Sequence, residues 1–427
     1  MTADTIYALS SGSPPAAIAV VRISGRGADA AVEALAGKLP QPRVATLAQL
    51  TDPATGTPLD QALLLRFPGP ASATGEDVAE LHLHGGRAVV AAVLATLATT
   101  EGLREAAPGE FTRRAFDNGR IDLAEAEGLA DLLSAETESQ RRSALALAGG
   151  GLSRQVAAWQ DRLLTLAAEI EAVIDFSDEG EVGEGLPEAW AEGVKALRQD
   201  MEAALARPPA ERLREGLRVV IAGPPNVGKS SLLNWLAGRQ AAITSAIAGT
   251  TRDVVEAPTA IGGTPFVLVD TAGLRDANDE VEKIGVTRAR ESLEAADLIL
   301  WLGAADDCPD PARSLRVQSK IDLSPRDPGA EAHVSAETGE GMDPLIALLI
   351  ARARALLPRE GAVALNARHR SAITQAAGAL SDACATRDVV LGAESLRLAR
   401  TALDRVTGRG GVEEMLDALF GRFCLGK

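Results

Sequence analysis

The chain has 427 residues, 46% hydrophobic but only 3% aromatic, so it can fill two to four domain cores built mainly from Ala, Leu and Val. Its net charge of −16 excludes broad, non-specific nucleic-acid binding, though not a local basic site. Three cysteines (Cys308, Cys384 and Cys424) make no disulfide framework and fit a reducing cytoplasm; the N-terminal stretch lacks the marks of a signal peptide, and no run reaches the roughly 20 apolar residues of a membrane span.

In chain order, residues 16–23 (AAIAVVRI) read as a strand, 27–37 as a helix and 61–67 as another strand. Residues 78–84 alternate: Ala79, Leu81 and Leu83 share one face, and Glu80, His82 and His84 the other. That polar face either receives a polar ring system or is solvated. The two histidines stand at i and i+2 without a third ligand, which argues against a metal. Residues 87–99 have helical spacing, so this first stretch is an α+β module. Residues 108–120 (PGEFTRRAFDNGR) read as a turn-rich basic segment whose Arg113, Arg114 and Arg120 meet solvent or an anion.

Asp122 with Glu125 reads as a capping box. It opens an Ala/Leu/Glu-rich run to about residue 174, which Gly149–Gly151 breaks into two long helices. A third helix follows Pro187 and ends before the linker pair Pro208-Pro209.

The apolar strand 217–222 leads into Gly223-Pro224-Pro225-Asn226-Val227-Gly228-Lys229-Ser230, a G-x-x-x-x-G-K-S phosphate loop, and residues 231–236 have helical spacing. The glycines let the loop turn its N–H groups inward, and the helix start adds its positive end. Lys229 can reach the β/γ-phosphates and Ser230 can ligate Mg²⁺. Next comes Gly249-Thr250-Thr251-Arg252-Asp253, whose threonine can complete the Mg²⁺ shell and sense the γ-phosphate. A strand at 266–269 runs into Asp270-Thr271-Ala272-Gly273; Asp270 serves the Mg²⁺ shell and Gly273 offers an N–H to the γ-phosphate. Strands at 298–302 and 315–317 precede Ser319-Lys320-Ile321-Asp322, where Asp322 can accept both N–H groups of the guanine edge. Ser335-Ala336-Glu337 offers a backbone N–H to the guanine carbonyl oxygen. Five short motifs in this order, at strand ends of an alternating β/α block, point to a GTP hydrolase.

Three departures refine that expectation. Leu274 stands where many GTPases place a water-orienting glutamine, which makes Glu282 the candidate to position the attacking water. Asn226 can help hold a monovalent cation beside the phosphates. Ser319 replaces the asparagine of the usual Asn-Lys-x-Asp and makes fewer hydrogen bonds, so guanine nucleotide binding is expected to be weaker than usual. The stretch between Leu302 and Ser319 is short and proline-rich, so its local fold is open.

After Pro358, helical runs at 366–384, 389–406 and 412–423 suggest one helical domain with the GTPase block inserted into it. Cys424, three residues from the end, is expected to be accessible.

Further motifs span the whole chain: Asp4-Thr5-Ile6, Arg22-Ile23-Ser24-Gly25, Thr74-Gly75-Glu76-Asp77 with His84-Gly85-Gly86, Pro108-Gly109-Glu110-Phe111-Thr112 with Arg114-Ala115-Phe116, Asn118-Gly119, and the terminal Cys424-Leu425-Gly426-Lys427. Together with the GTPase motifs they make the chain resemble the MnmE (TrmE) family of tRNA-modification GTPases. The resemblance implies a multidomain protein: an α+β folate-binding and dimerising domain (1–118), an all-α helical domain in two parts (119–214 and 358–427), and an inserted α/β P-loop GTPase domain (215–357). It implies a homodimer that acts with a flavin-dependent partner enzyme, as a heterotetramer, on tRNA. The pair would install an aminomethyl-type group at carbon 5 of the wobble uridine, using a 5-formyl-tetrahydrofolate-type one-carbon carrier. Arg22, Glu80, Arg120 (where a lysine is expected) and Lys427 would contact that carrier, and Cys424 would serve the modification. GTP would be held by Asn226, Val227, Gly228, Lys229, Ser230 and Ser231, by Ser245, Ala246, Ile247, Ala248, Gly249, Thr250 and Thr251, by Asp270, Thr271, Ala272 and Gly273, and by Lys320, Asp322, Ser335 and Ala336. Ser230 and Thr251 would hold Mg²⁺; Asn226, Ser245, Ile247 and Thr250 would hold K⁺; Lys229, Arg252 and Glu282 would serve hydrolysis. The alternatives are a GTP-dependent ribosome-assembly switch, which would normally carry a basic RNA-binding appendage that this acidic chain lacks, and a folate-dependent one-carbon transferase with a regulatory GTPase.

Overall fold

The computed structural model describes residues 4–175, 188–238, 256–270, 290–359, 363–409, 413–421, 423 and 426. Two compact units emerge, one made of the residues up to Ala130 together with those from Thr407 onward, the other of Asp131–Val406. Among the described residues no helix is long and apolar enough to cross a membrane.

The first unit is built on a six-stranded sheet: β1 (Thr5–Leu9), β2 (Ile18–Ser24), β3 (Thr46–Thr51), β4 (Pro58–Phe67), β5 (Val78–His84) and β6 (Leu103–Glu105), in the order β3-β4-β5-β2-β1-β6. Neighbours are antiparallel except for the parallel β1–β6 pair. The alternation of β5 does what its sequence demands: Ala79, Leu81 and Leu83 are buried on one face with Val21, Ile23 and Leu64. Helices α1 (Ala28–Ala36) and α2 (Arg87–Ala98) close that face with Val32, Leu35, Val93 and Leu97.

The basic segment at 108–120 is solvated only in part. Residues Glu110–Asp117 form helix α3, which begins after Gly109 in the left-handed conformation (φ 72°). Arg114 is only 5% exposed and donates hydrogen bonds to Asp4, Glu76 and Glu110. A guanidinium ringed by three acidic residues can stay charged inside a fold; the charge run concealed a structural cation. Helix α4 (Leu123–Ser134) opens with the expected capping box: the Glu125 N–H donates to Asp122 Oδ1 at 2.9 Å, and the Asp122 N–H donates to Glu125 Oε2 at 2.8 Å. The last helix, Glu413–Phe420, sets Leu416 and Phe420, with Phe423, into a small core around Leu123 and Ala126.

In the second unit the run up to residue 174 is divided once more than expected. Helix α5 (Glu138–Ala148) precedes α6 (Gly151–Asp175), and a separate break after α4 is made by Thr137. Thr137 caps α5 by accepting from the Gln140 N–H at 3.3 Å, while Gln140 Oε1 accepts from the Thr137 N–H at 2.9 Å. Helix α7 (Glu188–Leu205) and the short α8 (Glu211–Arg214) lead into the second sheet.

That sheet comprises β7 (Leu217–Ala222), β8 (Glu256–Ile261), β9 (Thr264–Asp270), β10 (Leu298–Trp301), β11 (Ser314–Gln318) and β12 (Ala332–His333), ordered β12-β11-β10-β7-β9-β8. All pairs are parallel except the edge hairpin β8–β9, which turns on Gly262 and Gly263, both at positive φ. Helices α9 (Lys229–Gly238) and α10 (Met342–Leu356) pack onto it through Leu232, Leu236, Leu345 and Leu349. The short connection from β10 to β11 is irregular and is held by Arg313, whose Nη1 donates to the Ala296 carbonyl at 2.6 Å. Helices α11 (Ala367–Ala385) and α12 (Val389–Thr407) then return to the helices that precede the sheet. Gln160 of α6 donates to Asp404 of α12 at 2.7 Å, and Arg370 of α11 donates to the Leu205 carbonyl of α7 at 2.7 Å. The α/β block is therefore an insertion between two parts of one helical body, as the composition suggested.

Candidate functional site

Strand β7 has β9 on one side and β10 on the other, so the strand order reverses there. Ligands of open parallel sheets sit at such a switch point, outside the carboxyl ends of the strands. Described residues of the nucleotide motifs follow the carboxyl ends of β7, β11 and β12, and Asp270 ends β9.

The loop after β7 bends through Gly223 (φ 150°), Asn226 (φ 60°) and Gly228 (φ 99°). At Gly223 a Cβ would stand 3.1 Å from the Leu302 carbonyl carbon, so the left-handed backbone and the neighbouring strand end both favour glycine. Asn226 is among the few residue types that tolerate positive φ. Lys229 is 6% exposed, and its ammonium donates to the Gly223 and Pro224 carbonyls at 3.1 and 2.7 Å. It thus lies across the mouth of its own loop, where phosphates would meet it. Ser230 Oγ donates to Asp270 Oδ2 at 2.6 Å. Two hard oxygen donors, one from the first turn of α9 and one from the end of β9, meet there, a donor set that fits Mg²⁺.

Beside the phosphate loop lies a cavity of about 400 Å³ whose lining includes Gly228, Ser319, Lys320, Asp322, Ser335 and Ala336. Ser319 Oγ donates to the Val227 carbonyl, and Lys320 Nζ donates to the Asn226 carbonyl at 2.7 Å. Asp322 is exposed at the rim. The Ser335 N–H donates to the Glu340 carbonyl at 2.9 Å. The positions 245–252, Thr271, Ala272, Gly273 and Glu282, together with Cys424 and Lys427, lie outside the described residues.

A family model described as the MnmE helical domain matches residues 123–424, and one described as the N-terminus of GTP-binding protein TrmE matches residues 5–120. The chain is 56% identical to the tRNA modification GTPase MnmE of Novosphingobium aromaticivorans, over 99% of this chain and all of that one. It is 56% identical to the protein of that name from Erythrobacter litoralis (99% of this chain, 100% of that one) and 57% identical to that from Rhizorhabdus wittichii (99% and 97%). The chain belongs to the MnmE family.

In this MnmE-family chain two of the residues named for the carrier, Arg22 and Glu80, meet on the first sheet. Arg22 of β2 and Glu80 of β5 stand opposite each other in register, and Arg22 donates to Glu80 Oε1 through Nη2 at 2.8 Å and Nε at 3.0 Å. His82 Nε2 lies 3.3 Å from Glu80 Oε2, and the Arg22 guanidinium sits 5.9 Å from the Phe111 ring centroid. His84 is engaged separately, its Nδ1 2.7 Å from Asp60 Oδ1. Arg120 packs its stem against Gly75, where a Cβ would stand 3.2 Å from Arg120 Cγ. The residues flanking Cys424 and Lys427 are anchored: Phe423 is 5% exposed and the Gly426 carbonyl accepts from Ser10 Oγ at 2.8 Å. Local sequence gave no sign of the Ser10 and Phe111 contacts, because each depends on a partner distant in the chain.

Proposed function

We propose that this chain hydrolyses GTP to drive a tRNA modification, with the phosphate chemistry at the carboxyl edge of the second sheet. The observation that carries the reading is the convergence of Lys229, the Ser230–Asp270 pair and the Asp322-rimmed cavity on one edge of one parallel sheet. Lys229 would place positive charge where it develops between the β- and γ-phosphates, in a loop already shaped for them. Ser230 and Asp270 would hold Mg²⁺, with Thr251 completing the shell; the ion would neutralise phosphate charge. Asp322 would accept the two N–H groups that distinguish guanine from adenine.

The finer reading extends from there. Asn226, with Ser245, Ile247 and Thr250, would hold K⁺; Glu282 would orient the attacking water, and Arg252 would assist. Two copies would pair, and a flavin-dependent enzyme would join them on tRNA to build an aminomethyl-type group at carbon 5 of the wobble uridine. Arg22, Glu80, Arg120 and Lys427 would hold the formyl-tetrahydrofolate-type carrier. The Arg22–Glu80 pair supports this in part: a half-buried carboxylate suits the donor edge of a pterin, although Arg22 must share it. Cys424 would serve the modification alone.

Nucleoside analysis of tRNA from a deletion strain tests the reading. The wobble modification should be lost, restored by the wild-type chain, and not restored by Lys229→Ala or Cys424→Ser, while purified Cys424→Ser keeps its GTPase activity. Normally modified tRNA in the deletion strain would contradict the proposal.

A further inference from the structure

We propose that a cavity at the amino edge of the second sheet is a docking site for the phosphodiester backbone of RNA. The proposal rests on the tRNA reading above and deepens it, by naming where an acidic chain meets a polyanion. The cavity has about 550 Å³ and is lined by Arg142, Arg354 and Arg359. Arg142 belongs to α5, Arg354 to the last turn of α10, and Arg359 follows Pro358. Segments far apart in the chain thus bring three guanidinium groups to one hollow. Among the described residues neither Arg354 nor Arg359 forms an ion pair or a hydrogen bond. The lining holds one carboxylate, Glu138, and it is shared between Arg141 and Arg142 at 2.7 Å each. Ser139 Oγ donates to the Gly263 carbonyl at 2.9 Å, which ties α5 to the β8–β9 turn and fixes one wall.

Strand β9 starts at Thr264, in the cavity wall, and ends at Asp270. The cavity therefore lies across the sheet from the nucleotide pocket, and the triphosphate does not account for its charge. The volume falls within the roughly 300–1,000 Å³ of small-molecule and cofactor sites, so a ribose can follow its phosphate in. Guanidinium forks match phosphate oxygens, and the buried Leu213 and Leu357 give a sugar or base apolar surface. With a net charge of −16 the chain as a whole repels RNA. Attachment then needs a local cation excess within a Debye length, about 8 Å at physiological salt. The cavity beside Glu76 offers the opposite, since Asp77 and Asp117 also line it and Arg114 is already ringed by carboxylates.

The test is the affinity of the full-length protein for a fluorescently labelled tRNA transcript, measured by anisotropy from about 50 to 200 mM KCl. Arg142→Gln, Arg354→Gln and Arg359→Gln combined should weaken binding at least about tenfold and flatten the plot of log affinity against log salt by about 2 to 3. Lysine at the same three positions keeps the charge and should keep the slope. GTP turnover without tRNA should stay at the wild-type rate in both variants, which shows that they fold. Arg354→Gln alone breaks no ion pair among the described residues and should move the slope by about 0.7 to 0.9, which keeps the test open if the triple variant folds poorly. Lys195→Gln, Arg387→Gln and Arg400→Gln combined make the same change of net charge on exposed residues outside the cavity and should leave the slope alone. Wild-type protein that binds tRNA, with cavity variants that keep its slope or with an equal change in the control, would overturn the inference alone. Wild-type protein that binds no tRNA would overturn the tRNA reading as well.

Discussion

At the scale of single residues, the sequence was most informative where chemistry needs a fixed local pattern. Gly223, Gly228, Lys229 and Ser230 fall within eight positions, and in the structure Lys229 donates to the Gly223 and Pro224 carbonyls and Ser230 to Asp270. Lys229→Ala is expected to lower the GTP turnover number by roughly 100-fold or more, measured as phosphate release, because it removes a preorganised charge. Asp322→Asn exchanges an acceptor for a donor, which suits the extra carbonyl of xanthine. Its affinity for GTP should fall by about 10- to 100-fold while XTP binding appears, read by competition against a fluorescent nucleotide. Arg114 was illegible for the opposite reason. Its burial depends on Asp4 and Glu76, which lie far from it in the chain, so the local run looked like an ordinary charged surface.

At the scale of elements, periodicity found what is amphipathic or strongly apolar. Strand β5 and the strand before the phosphate loop were legible because alternation, or an unbroken branched run, leaves few other solutions. The strand at 266–269 was legible, but its hairpin partner β8 was missed although Gly262-Gly263 is a hairpin signal, since Pro258 interrupts the run before it. The break before α5 was missed because Thr137-x-x-Gln140, a capping box, sits inside a run rich in helix formers. That cap gives a direct expectation: Thr137→Ala should cost about 1 kcal/mol in urea or thermal unfolding. Helix α3 offers a pH test. Its Glu110 is buried, which alone would raise its pKa, but hydrogen bonds from Arg104, the Ala107 N–H and Arg114 bring it below the usual value of 4.5. Asp4 is lowered from 3.8 chiefly by its hydrogen bond from Arg104. Carboxylates depressed in the folded state stabilise it above their unfolded pKa values and lose that effect as pH falls through the folded ones. The melting temperature should therefore drop between about pH 5 and pH 3, and drop less in Arg104→Met. Equal pH dependence in the two proteins would remove this network from the account.

At the scale of the whole molecule, the insertion of an α/β block between two helical segments was legible from composition alone, since Ala/Leu-rich runs flank it on both sides. Compactness gave a different division, because the last helix and Phe423 pack with Leu123 and Ala126 in the first unit. The sequence offers no local mark of that return, which depends on apolar residues hundreds of positions apart. The account rests on a nucleotide pocket assembled at the carboxyl edge of the second sheet, and GTP turnover by the purified full-length chain in Mg²⁺ tests it most directly. GTP should be hydrolysed and ATP left intact, with markedly faster turnover in K⁺ than in Na⁺. Equal rates in the two salts would remove the cation role given to Asn226, and absence of GTP hydrolysis in K⁺ would contradict the central claim.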